Sequence, residues 1–463
     1  MQLRLQPLLF HIPSSALFES DAVSHAIIGA LRAEDGLSAA QLQQRLHKDA
    51  CADSIDSALL ELQQLGIVSD GGAAAVQNFE GLTTIPLATV VLNINTGCNL
   101  SCTYCYKEDL ETPADGSKMS FDTARDAIEM LVRQSPDEPR YNIVFFGGEP
   151  LSNLALIRDV TEYAEKRAVE LGKHFDFSLT TNATLLNEKT ISWLDQHRFG
   201  IAVSIDGPKT IHDQNRLTVG GKGTYETVAA KVRILLAQYR SRPVGARVTL
   251  TRGTTDVWTI WNHLFHELGF AEVGFAPVTA GDDASFNLSD DELVEVFAAM
   301  KRLGEHYVNE ALENRNIGFS NLHQLLTDIH QGSKKALPCG AGYSMLAVDD
   351  SGGLNLCHRF TGSSLPQFGS VSDGPDIDSL SNFLSQRLDR SGTGCDTCRI
   401  RNLCSGGCYH ESYQRYNDPA HPVYHYCDLM RDWVDFGIEA YARIMTGNPN
   451  FFTQYLVPRR PDK

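Results

Sequence analysis

Positive charge is scarce in this chain of 463 residues. Lys and Arg number 40 against 57 Asp and Glu, which leaves a formal net charge of −17 at pH 7. Proteins that bind nucleic acids neutralise phosphates with clustered Lys and Arg, so this balance argues against a nucleic-acid partner. The composition is otherwise ordinary, with 42% hydrophobic and 21% charged residues, and such a chain can bury a sizeable core.

Long apolar runs are also missing. No stretch approaches the roughly 18 apolar residues that a membrane span requires. Residues 1–10 lack the long apolar region and the small-residue cleavage site of a signal peptide. We therefore expect a cytoplasmic protein that has no membrane partner.

The eleven cysteines are then poor candidates for a disulfide framework, because a reducing compartment favours their use in metal binding or catalysis. Three of them lie within residues 98–105 and seven within residues 339–427. These two dense groups predict metal or cluster sites. Cys51 stands alone, and because a free cysteine behaves as a small hydrophobe we expect it to pack in the N-terminal domain.

Residues 1–86 are predicted to form a small separate domain. A strand over residues 5–12 precedes three helices: one through Val23 and Leu31, one over residues 37–46 with Ser38 as N-cap, and one from Asp53 to a stop at Gly66. Residues 67–69, a Gly-Gly turn and a short apolar run would then form a β-wing. This winged-helix pattern lacks the basic charge for DNA. It resembles peptide-recognition domains, in which a leader segment adds to the sheet edge and packs against a helix; a merely stabilising N-terminal cap is the alternative.

Strands alternate with helices from residue 88 onwards. Six such units predict an α/β fold with a partial (β/α)6 barrel over residues 87–330, and its active site is expected at the carboxyl ends of the strands. Beyond residue 330 the alternation stops, which predicts a third, cysteine-rich domain over residues 331–463. The predicted strands cover residues 89–94, 142–146, 175–180, 201–205, 246–250 and 273–275, and the clearest helices cover 121–133, 154–171 and 188–197.

The first cysteine group follows the first barrel strand directly. Cys98, Cys102 and Cys105 have the spacing CxxxCxxC. Three thiolates at this spacing can reach three irons of a four-iron cluster and leave the fourth iron open, and an open position makes a metal site reactive. A zinc site or a plain electron-transfer site is the alternative for this loop alone.

Polar motifs end the next three strands at the mouth of the predicted barrel. They are Gly147-Gly148-Glu149-Pro150, Thr180-Thr181-Asn182 and Ser204-Ile205-Asp206-Gly207. Glycine lets backbone groups approach a ligand closely, and the Glu149 carboxylate can accept a hydrogen bond from an ammonium group. Each motif alone is a weak signal, but their order at successive strand ends is a strong one.

Residues 95–106 together with residues 147–150 resemble the radical S-adenosylmethionine (SAM) superfamily. The resemblance implies that Cys98, Cys102 and Cys105 hold a 4Fe–4S cluster whose open iron binds the amino and carboxylate groups of SAM, and that one electron then releases a 5′-deoxyadenosyl radical. Residues 206–216 are typical of the subgroup that modifies peptides and proteins. The implied SAM contacts are Tyr104 beside the adenine, Gly148 and Glu149 at the methionyl amine, Ser204 and Asp206 on the ribose side, and Gly147 and Asn182 at the same mouth.

The seven C-terminal cysteines suggest two more metal sites. Two zinc knuckles are one interpretation of them. Their spacing resembles the SPASM domain of radical SAM peptide maturases, which implies two auxiliary 4Fe–4S clusters. By that resemblance the distal cluster is held by Cys395, Cys398, Cys404 and Cys427, and the nearer one by Cys339, Cys357 and Cys408.

The nearer cluster is one cysteine short. Some relatives supply a further cysteine just before the position of Cys339, but residues 332–338 contain none. We hypothesise that a substrate thiolate or a side chain other than Cys takes the fourth position. Coordination there would deprotonate a thiol outright.

The residues after Cys357 indicate the reaction class. Anaerobic sulfatase maturases share the barrel and SPASM patterns but carry an acid at the next position, where this chain has His358, Arg359 and Phe360. That run resembles enzymes that join a Cys sulfur to a carbon within a peptide, above all the maturation enzymes of quinohemoprotein amine dehydrogenase. The resemblance implies thioether bonds from Cys to the side-chain methylene of Asp or Glu, and Asp349 and His358 are candidates for the general base.

The same resemblance implies the cofactors and partners. The cofactors would be SAM and three 4Fe–4S clusters. The partners would be a Cys-rich, acidic peptide or small subunit with a leader segment, and an electron donor such as flavodoxin or ferredoxin. Two alternatives stay open: oxidation of Cys or Ser of the sulfatase-maturase type, and a non-catalytic iron–sulfur scaffold that binds peptides.

Overall fold

The computed structural model describes residues 8–34, 36–69, 82–105, 116–278 and 285–456. Its N-terminal part is an antiparallel hairpin followed by three helices, and the second strand of the hairpin was not predicted. The chain reverses between the two strands at Ser15, which has a positive φ of 53°. These elements are β1 (Leu8–His11), β2 (Ala16–Glu19), α1 (Ala22–Ala33), α2 (Ala39–Leu46) and α3 (Ala52–Gln64).

The three helices form because apolar residues recur at helical spacing behind good capping residues. Asp21 caps α1 by accepting a 2.7 Å hydrogen bond from the Ser24 N–H. Ser38 caps α2 in a capping box with Gln41, so its predicted role is confirmed. The helices bury a small core of their own, separate from that of the rest of the chain: Ile27, Ala30, Leu42, Leu46, Ile55, Ala58 and Leu62.

Two predictions for this domain fare differently. The turn and second strand of the wing fall in residues 70–81, outside the described residues. The prediction of a strand at residues 67–69 is wrong, because the Ile67 and Val68 N–H groups both donate to the Leu62 carbonyl and close α3. The prediction that Cys51 packs in the domain is wrong. Cys51 is exposed just before α3, with its Sγ 3.0 Å from Ser54 Oγ, because the buried face of α3 begins only at Ile55.

The predicted alternation of strands and helices is confirmed in the central part of the chain. All six strands lie within two residues of their predicted bounds. They are β3 (Thr89–Asn95), β4 (Arg140–Gly147), β5 (His174–Thr181), β6 (Gly200–Ser204), β7 (Val244–Leu250) and β8 (Glu272–Pro277). The helices between and after them are α4 (Phe121–Gln134), α5 (Leu154–Leu171), α6 (Glu188–Gln196), α7 (Lys209–Asn215), α8 (Tyr225–Gln238), α9 (Val257–Asn262), α10 (Asp290–Leu312) and α11 (Ser320–His330).

The six strands are all parallel to their neighbours and lie in chain order. Parallel strands covered by helices must be apolar almost throughout, and β3 meets this condition with Val90, Val91, Leu92 and Ile94 each at most 2% exposed. The carboxyl ends of the strands therefore meet at one edge. All three polar motifs of the sequence lie at that edge.

The C-terminal part extends the same sheet, which the sequence pattern did not predict. Its first strand, β9, pairs parallel with β3, and β10 pairs antiparallel with β9, so the sheet has eight strands in the order β10-β9-β3-β4-β5-β6-β7-β8. The elements of this part are β9 (Met345–Val348), β10 (Leu354–Asn355), β11 (Gly369–Ser370), β12 (Gly374–Pro375), α12 (Ile377–Leu388), α13 (Arg401–Cys404), α14 (Tyr409–Tyr416), α15 (Cys427–Gly447) and α16 (Asn450–Tyr455).

The long helix α15 ties the C-terminal part to the barrel. It packs against α10 and α11, and its Trp433, Val434 and Ile444 belong to the same apolar core as the barrel strands. No helix in the described ranges combines the length and the apolarity that a bilayer crossing requires.

Candidate active site and cluster sites

The three-cysteine loop starts where β3 ends, and Asn95 holds its first turn. The Asn95 side chain donates to the Gly97 carbonyl (2.7 Å) and accepts from the Gly97 N–H (3.1 Å). The loop brings Cys98, Cys102 and Cys105 together. Burial raises the pKa of the Cys98 thiol to about 12, and the charges of Glu149, Cys102 and Cys105 act in the same direction.

The glycine pair at the end of β4 lies directly under this loop. The Gly148 N–H donates to the Asn95 carbonyl (2.7 Å), and the next N–H, of Glu149, donates to the Gly97 carbonyl (3.2 Å). A Cβ on Gly148 would lie 2.0 Å from the Gly97 carbonyl oxygen, and Gly147 has a φ of +141°. Glycine is thus required here because the cluster loop itself comes so close, whereas the sequence suggested that a ligand imposes this requirement.

Glu149 is buried, 1% exposed, and braces the ends of two strands. One carboxylate oxygen accepts from the Leu151 N–H (3.0 Å) and from Thr181 Oγ1 (2.7 Å), and the other accepts from the Asn182 N–H (2.7 Å). The Asn182 side chain in turn donates to Asn99 Oδ1 (3.0 Å) and points a second N–H at Cys98 Sγ (3.8 Å). Both residues therefore support the cluster loop, and their predicted SAM contacts remain predictions.

Tyr104, Asp206 and Arg216 form a buried network at the same edge. The Tyr104 hydroxyl donates to Asp206 Oδ2 (2.6 Å) and accepts from Arg216 Nη1 (2.5 Å), while Asp206 Oδ1 accepts from the Thr249 N–H (3.0 Å). Burial raises the pKa of Asp206, and the guanidinium of Arg216 opposes that effect. The network fixes the ring of Tyr104, the residue before Cys105. Ser204, the last residue of β6, is half-buried and lies two residues before Asp206.

Arg216 supplies a test of whether this edge fits SAM. Its Nε is buried and has no hydrogen-bond acceptor among the described residues. A buried guanidinium N–H without an acceptor is costly, so the site fits an added anionic oxygen such as that of a carboxylate. Three grouped thiols and an unsatisfied cationic donor at one strand edge fit the iron–sulfur cluster and SAM together.

The structure also brings together the three cysteines predicted for the nearer auxiliary site. Burial raises the pKa of Cys357 to about 12, and Cys408 and Cys339 act in the same direction. The loop that carries Cys357 reaches the barrel: the His358 ring lies 4.0 Å from that of Phe146, just before Gly147, and Thr361 accepts a hydrogen bond from Asn93 on β3.

The four remaining cysteines surround one cavity of about 200 Å³. Cys395, Cys398, Cys404 and Cys427 all contribute to its wall, together with the Arg431 side chain. Burial raises the pKa of Cys427, and its three partner thiols add to that effect while Arg431 opposes it. The Arg431 guanidinium also hydrogen-bonds the Cys398 sulfur. Four thiols around one cavity fit a cluster.

None of these groups converges on the position of a single ion. Among the residues that the structure describes, no three His, Cys, Asp or Glu side chains could hold one metal ion. This does not argue against clusters, because in a 4Fe–4S cluster each thiolate binds a different iron.

The two candidates for the general base differ in their surroundings. Asp349 is 6% exposed, and its carboxylate accepts from the N–H groups of Ser351 and Gly353 and from the side chains of Ser351, Asn355 and Gln367. Its contacts are those of a residue that holds the β9–β10 turn, and its assignment as a base stays a prediction. His358 lies at the barrel mouth and remains the better candidate.

Several residues of this edge were not predicted from the sequence. Arg216 stands at the end of the quoted motif 206–216, but nothing in the sequence says that its side chain meets Tyr104. Asn95 and Thr181 are likewise ordinary polar residues until the fold places them. For Asn95 and Thr181, the signal that could have found them is that each is the last residue of a strand.

The comparisons with known proteins agree with this geometry. Residues 92–263 match the radical SAM superfamily. The chain is 23% identical over 368 residues to a cysteine-type anaerobic sulfatase-maturating enzyme of Clostridium perfringens, which covers 76% of this chain and 96% of that one.

Two kinds of solved structure share the fold. The enzyme anSMEcpe with bound AdoMet and the Cp18Cys peptide matches with a TM-score of 0.66 at 21% identity, over 79% of this chain and 99% of that one. Streptococcus suis SuiB bound to its precursor peptide SuiA matches with a TM-score of 0.50 at 15% identity, over 90% of this chain and 95% of that one. The comparisons therefore show a radical SAM match over residues 92–263 and a fold shared with anSMEcpe and SuiB.

Proposed function

We propose that the chain is a radical SAM enzyme that modifies a peptide or small protein subunit, by forming thioether bonds between Cys sulfur and the side-chain carbon of Asp or Glu. The observation that carries the proposal is the course of residues 357–361. Cys357 belongs to the nearer thiol group, while His358 and Thr361 contact the barrel at Phe146 and Asn93. One short loop thus joins the incomplete auxiliary site to the mouth at which SAM would bind.

The residues divide the work as follows. Cys98, Cys102 and Cys105 would hold the first cluster, Arg216 would face the SAM carboxylate, and the braces at Glu149 and Asn182 would keep the loop in place. When bound, SAM on a reduced cluster supplies a 5′-deoxyadenosyl radical, which removes hydrogen from carbon. The thioether then requires that a thiol lose its proton, for which His358 is our candidate base, and that one electron leave the substrate, which an auxiliary cluster would accept.

The incomplete nearer site supports the thioether chemistry. Three cysteines would leave one iron of a 4Fe–4S cluster without a cysteine ligand, and a substrate thiolate bound there would lie beside the loop 357–361, which contacts the barrel at Phe146 and Asn93. The distal site has four cysteines of its own and needs no substrate ligand. Spectra of the nearer cluster that do not change when a substrate thiol is added would contradict this arrangement.

The substrate's leader segment has a suitable place beside the N-terminal hairpin. Within the described residues β1 pairs only with β2, and no other strand of those residues lies along its second edge. That edge borders a cavity of about 400 Å³ between Leu9 of β1, Ile28 of α1 and Ile400 and Ile438 of the C-terminal part. An extended peptide can add to an open strand edge and place alternate side chains in such a groove.

The test is the mass of a candidate partner. Any cysteine-rich, acidic polypeptide encoded beside this gene would be incubated without oxygen with the enzyme, SAM and a reductant. Thioether formation removes two hydrogen atoms per bond and one alkylatable thiol per bond, and fragmentation locates each link. An unchanged peptide despite SAM cleavage would refute this substrate chemistry.

Oxidation of Cys or Ser is the second candidate, because a sulfatase-maturating enzyme aligns over 76% of the chain. The same mass experiment separates the two: oxidation changes one residue and leaves no link between residues in the fragment spectra. A non-catalytic scaffold would leave both the peptide and SAM unchanged.

A further inference from the structure

An unusual arginine lies inside the barrel. Arg247 is in the middle of β7, where its chain neighbours Ala246 and Val248 are each 2% exposed and belong to the apolar core, while Arg247 itself is exposed. Successive side chains of a strand point to opposite faces of the sheet. Because Ala246 and Val248 pack into the core on the helix side, Arg247 points into the lumen of the barrel.

Its neighbours in the sheet leave room around it. Arg247 is in register with Ser204 of β6 and Gly274 of β8, which have small side chains or none. The main chain at Arg247 also accepts a hydrogen bond from the Ile205 N–H, one residue before Asp206. Arg247 therefore lies on the strand next to the segment that carries Asp206, the partner of Tyr104.

The charged group that shifts the pKa of Arg247 is another cation, Arg359. The side chain is open to the lumen, but the surrounding barrel wall partly desolvates it and lowers the pKa of Arg247, and the guanidinium of Arg359 lowers it further. Arg359 follows His358 on the loop that joins the nearer thiol group to the barrel mouth. Within the described part of the chain no ion pair joins Arg247 to a carboxylate. Arg359 also acts on the buried carboxylate of Glu411, where its charge opposes the rise in the pKa of that group. Arg247 is therefore the cation of this pair for which an acidic substrate would supply the anion.

We propose that Arg247 is the receptor for a carboxylate of the substrate, the side chain of an Asp or Glu in the modified peptide. This rests on the proposed function and adds to it the residue that selects an acidic target. An arginine fork matches the two oxygens of a carboxylate. Binding on β7 would hold the carbon next to that carboxylate in the lumen, between the SAM edge and the nearer thiol group.

The other source of a carboxylate is SAM itself, and the structure gives that group a different receptor. Arg216 has the buried Nε without an acceptor and lies in the network with Tyr104 and Asp206. Arg247 belongs to no part of that network. Loss of Arg247 should therefore weaken binding of an acidic substrate and leave the affinity for SAM unchanged.

The experiment compares two small probes on the reconstituted protein, N-acetyl-aspartate N-methylamide and N-acetyl-asparagine N-methylamide, by saturation-transfer NMR in the presence of SAM. The wild-type protein should prefer the acid about tenfold, since a hydrogen-bonded charge pair contributes about one such factor. Arg247→Gln should reduce the preference to about one, Arg247→Lys should keep part of it, and Arg233→Gln, on the exposed face of α8, should leave it unchanged.

Three results would overturn the proposal: no preference in the wild-type protein, a preference that survives in Arg247→Gln, or a loss of SAM affinity in that variant with the preference intact. Iron content and the melting temperature identify a misfolded variant, and Arg247→Lys then carries the test. The binding measurement needs no turnover. Failure of the thioether function would appear in the peptide mass experiment instead.

Discussion

Replacement of Gly148 by Ala should remove the SAM-binding cluster and spare the auxiliary ones. A Cβ at this position would lie 2.0 Å from the Gly97 carbonyl oxygen, 2.4 Å from its carbon and 2.9 Å from the Cys98 nitrogen, all of them backbone atoms. Since such contacts are not tolerated below about 3 Å, the loop must move by about 1 Å or more. A side chain could rotate away, but a backbone cannot.

The size of the effect follows from what the shift breaks. Overpacking costs about 1–3 kcal/mol. The movement also weakens the hydrogen bonds from Gly148 N–H to Asn95 O and from Glu149 N–H to Gly97 O, at about 1 kcal/mol each. A local penalty on the order of 4 kcal/mol falls on the loop that carries Cys98, because β4 is held in the sheet on both sides.

The assay is anaerobic reconstitution followed by iron analysis and EPR. Gly148→Ala should lose about a third of the iron, the share of one 4Fe–4S cluster in three, together with the spectral change on adding SAM. Gly29→Ala on α1 is the matched control, because nothing lies within 4 Å of its added Cβ. A Gly148→Ala protein with full iron and a wild-type response to SAM would refute the reasoning.

Three further predictions concern other parts of the molecule. Asp349→Asn should lower the free energy of unfolding by about 2 kcal/mol, since the carboxylate accepts hydrogen bonds from five groups around its turn. Thermal unfolding measures this loss, and Asp350→Asn is the control. An Asp349→Asn protein as stable as the wild type would contradict the structural role. Arg431→Gln should lower the midpoint potential of the distal cluster, because loss of a cation that hydrogen-bonds Cys398 disfavours the reduced form. A redox titration followed by EPR measures the shift, which is about 59 mV for each tenfold change in the one-electron equilibrium. An unchanged or higher potential would count against this prediction. His212 is buried with its pKa lowered from 6.5 to about 3, first by burial and then by Arg216. The unfolded chain therefore binds one more proton between these values, and stability should fall with decreasing pH below 6.5 by about 1.4 kcal/mol per unit from this residue. His212→Gln should remove that part of the slope in unfolding curves recorded from pH 7 to pH 5, and an identical slope in both proteins would refute the assignment.

The barrel was predictable because its strands are buried on both faces. Runs such as residues 89–94 are apolar throughout, and capping residues bound the helices between them, so bounds from the sequence fall within two residues of those observed. The cysteine groups were predictable from spacing, and the structure brings together the same three sets.

The rest depends on contacts between distant parts of the chain. The strands β9 and β10 have only four and two residues, too few for a periodic pattern, and their place beside β3 is set by tertiary packing. The braces at Glu149 and the lumen position of Arg247 follow from register across the sheet, which no local pattern contains. The hydrogen bonds that hold Asp349 in its turn are likewise invisible in the sequence, because its partner Gln367 lies 18 residues away.

The most direct test of the account is the reductive cleavage of SAM by the fully reconstituted protein, with 5′-deoxyadenosine measured as the product. The wild-type protein should form it, Cys105→Ala should form none, and Cys427→Ala, altered only at the distal cavity, should retain the activity. No 5′-deoxyadenosine from the wild-type protein, or an equal amount from Cys105→Ala, would contradict the assignment of the three-cysteine loop as the radical-generating site.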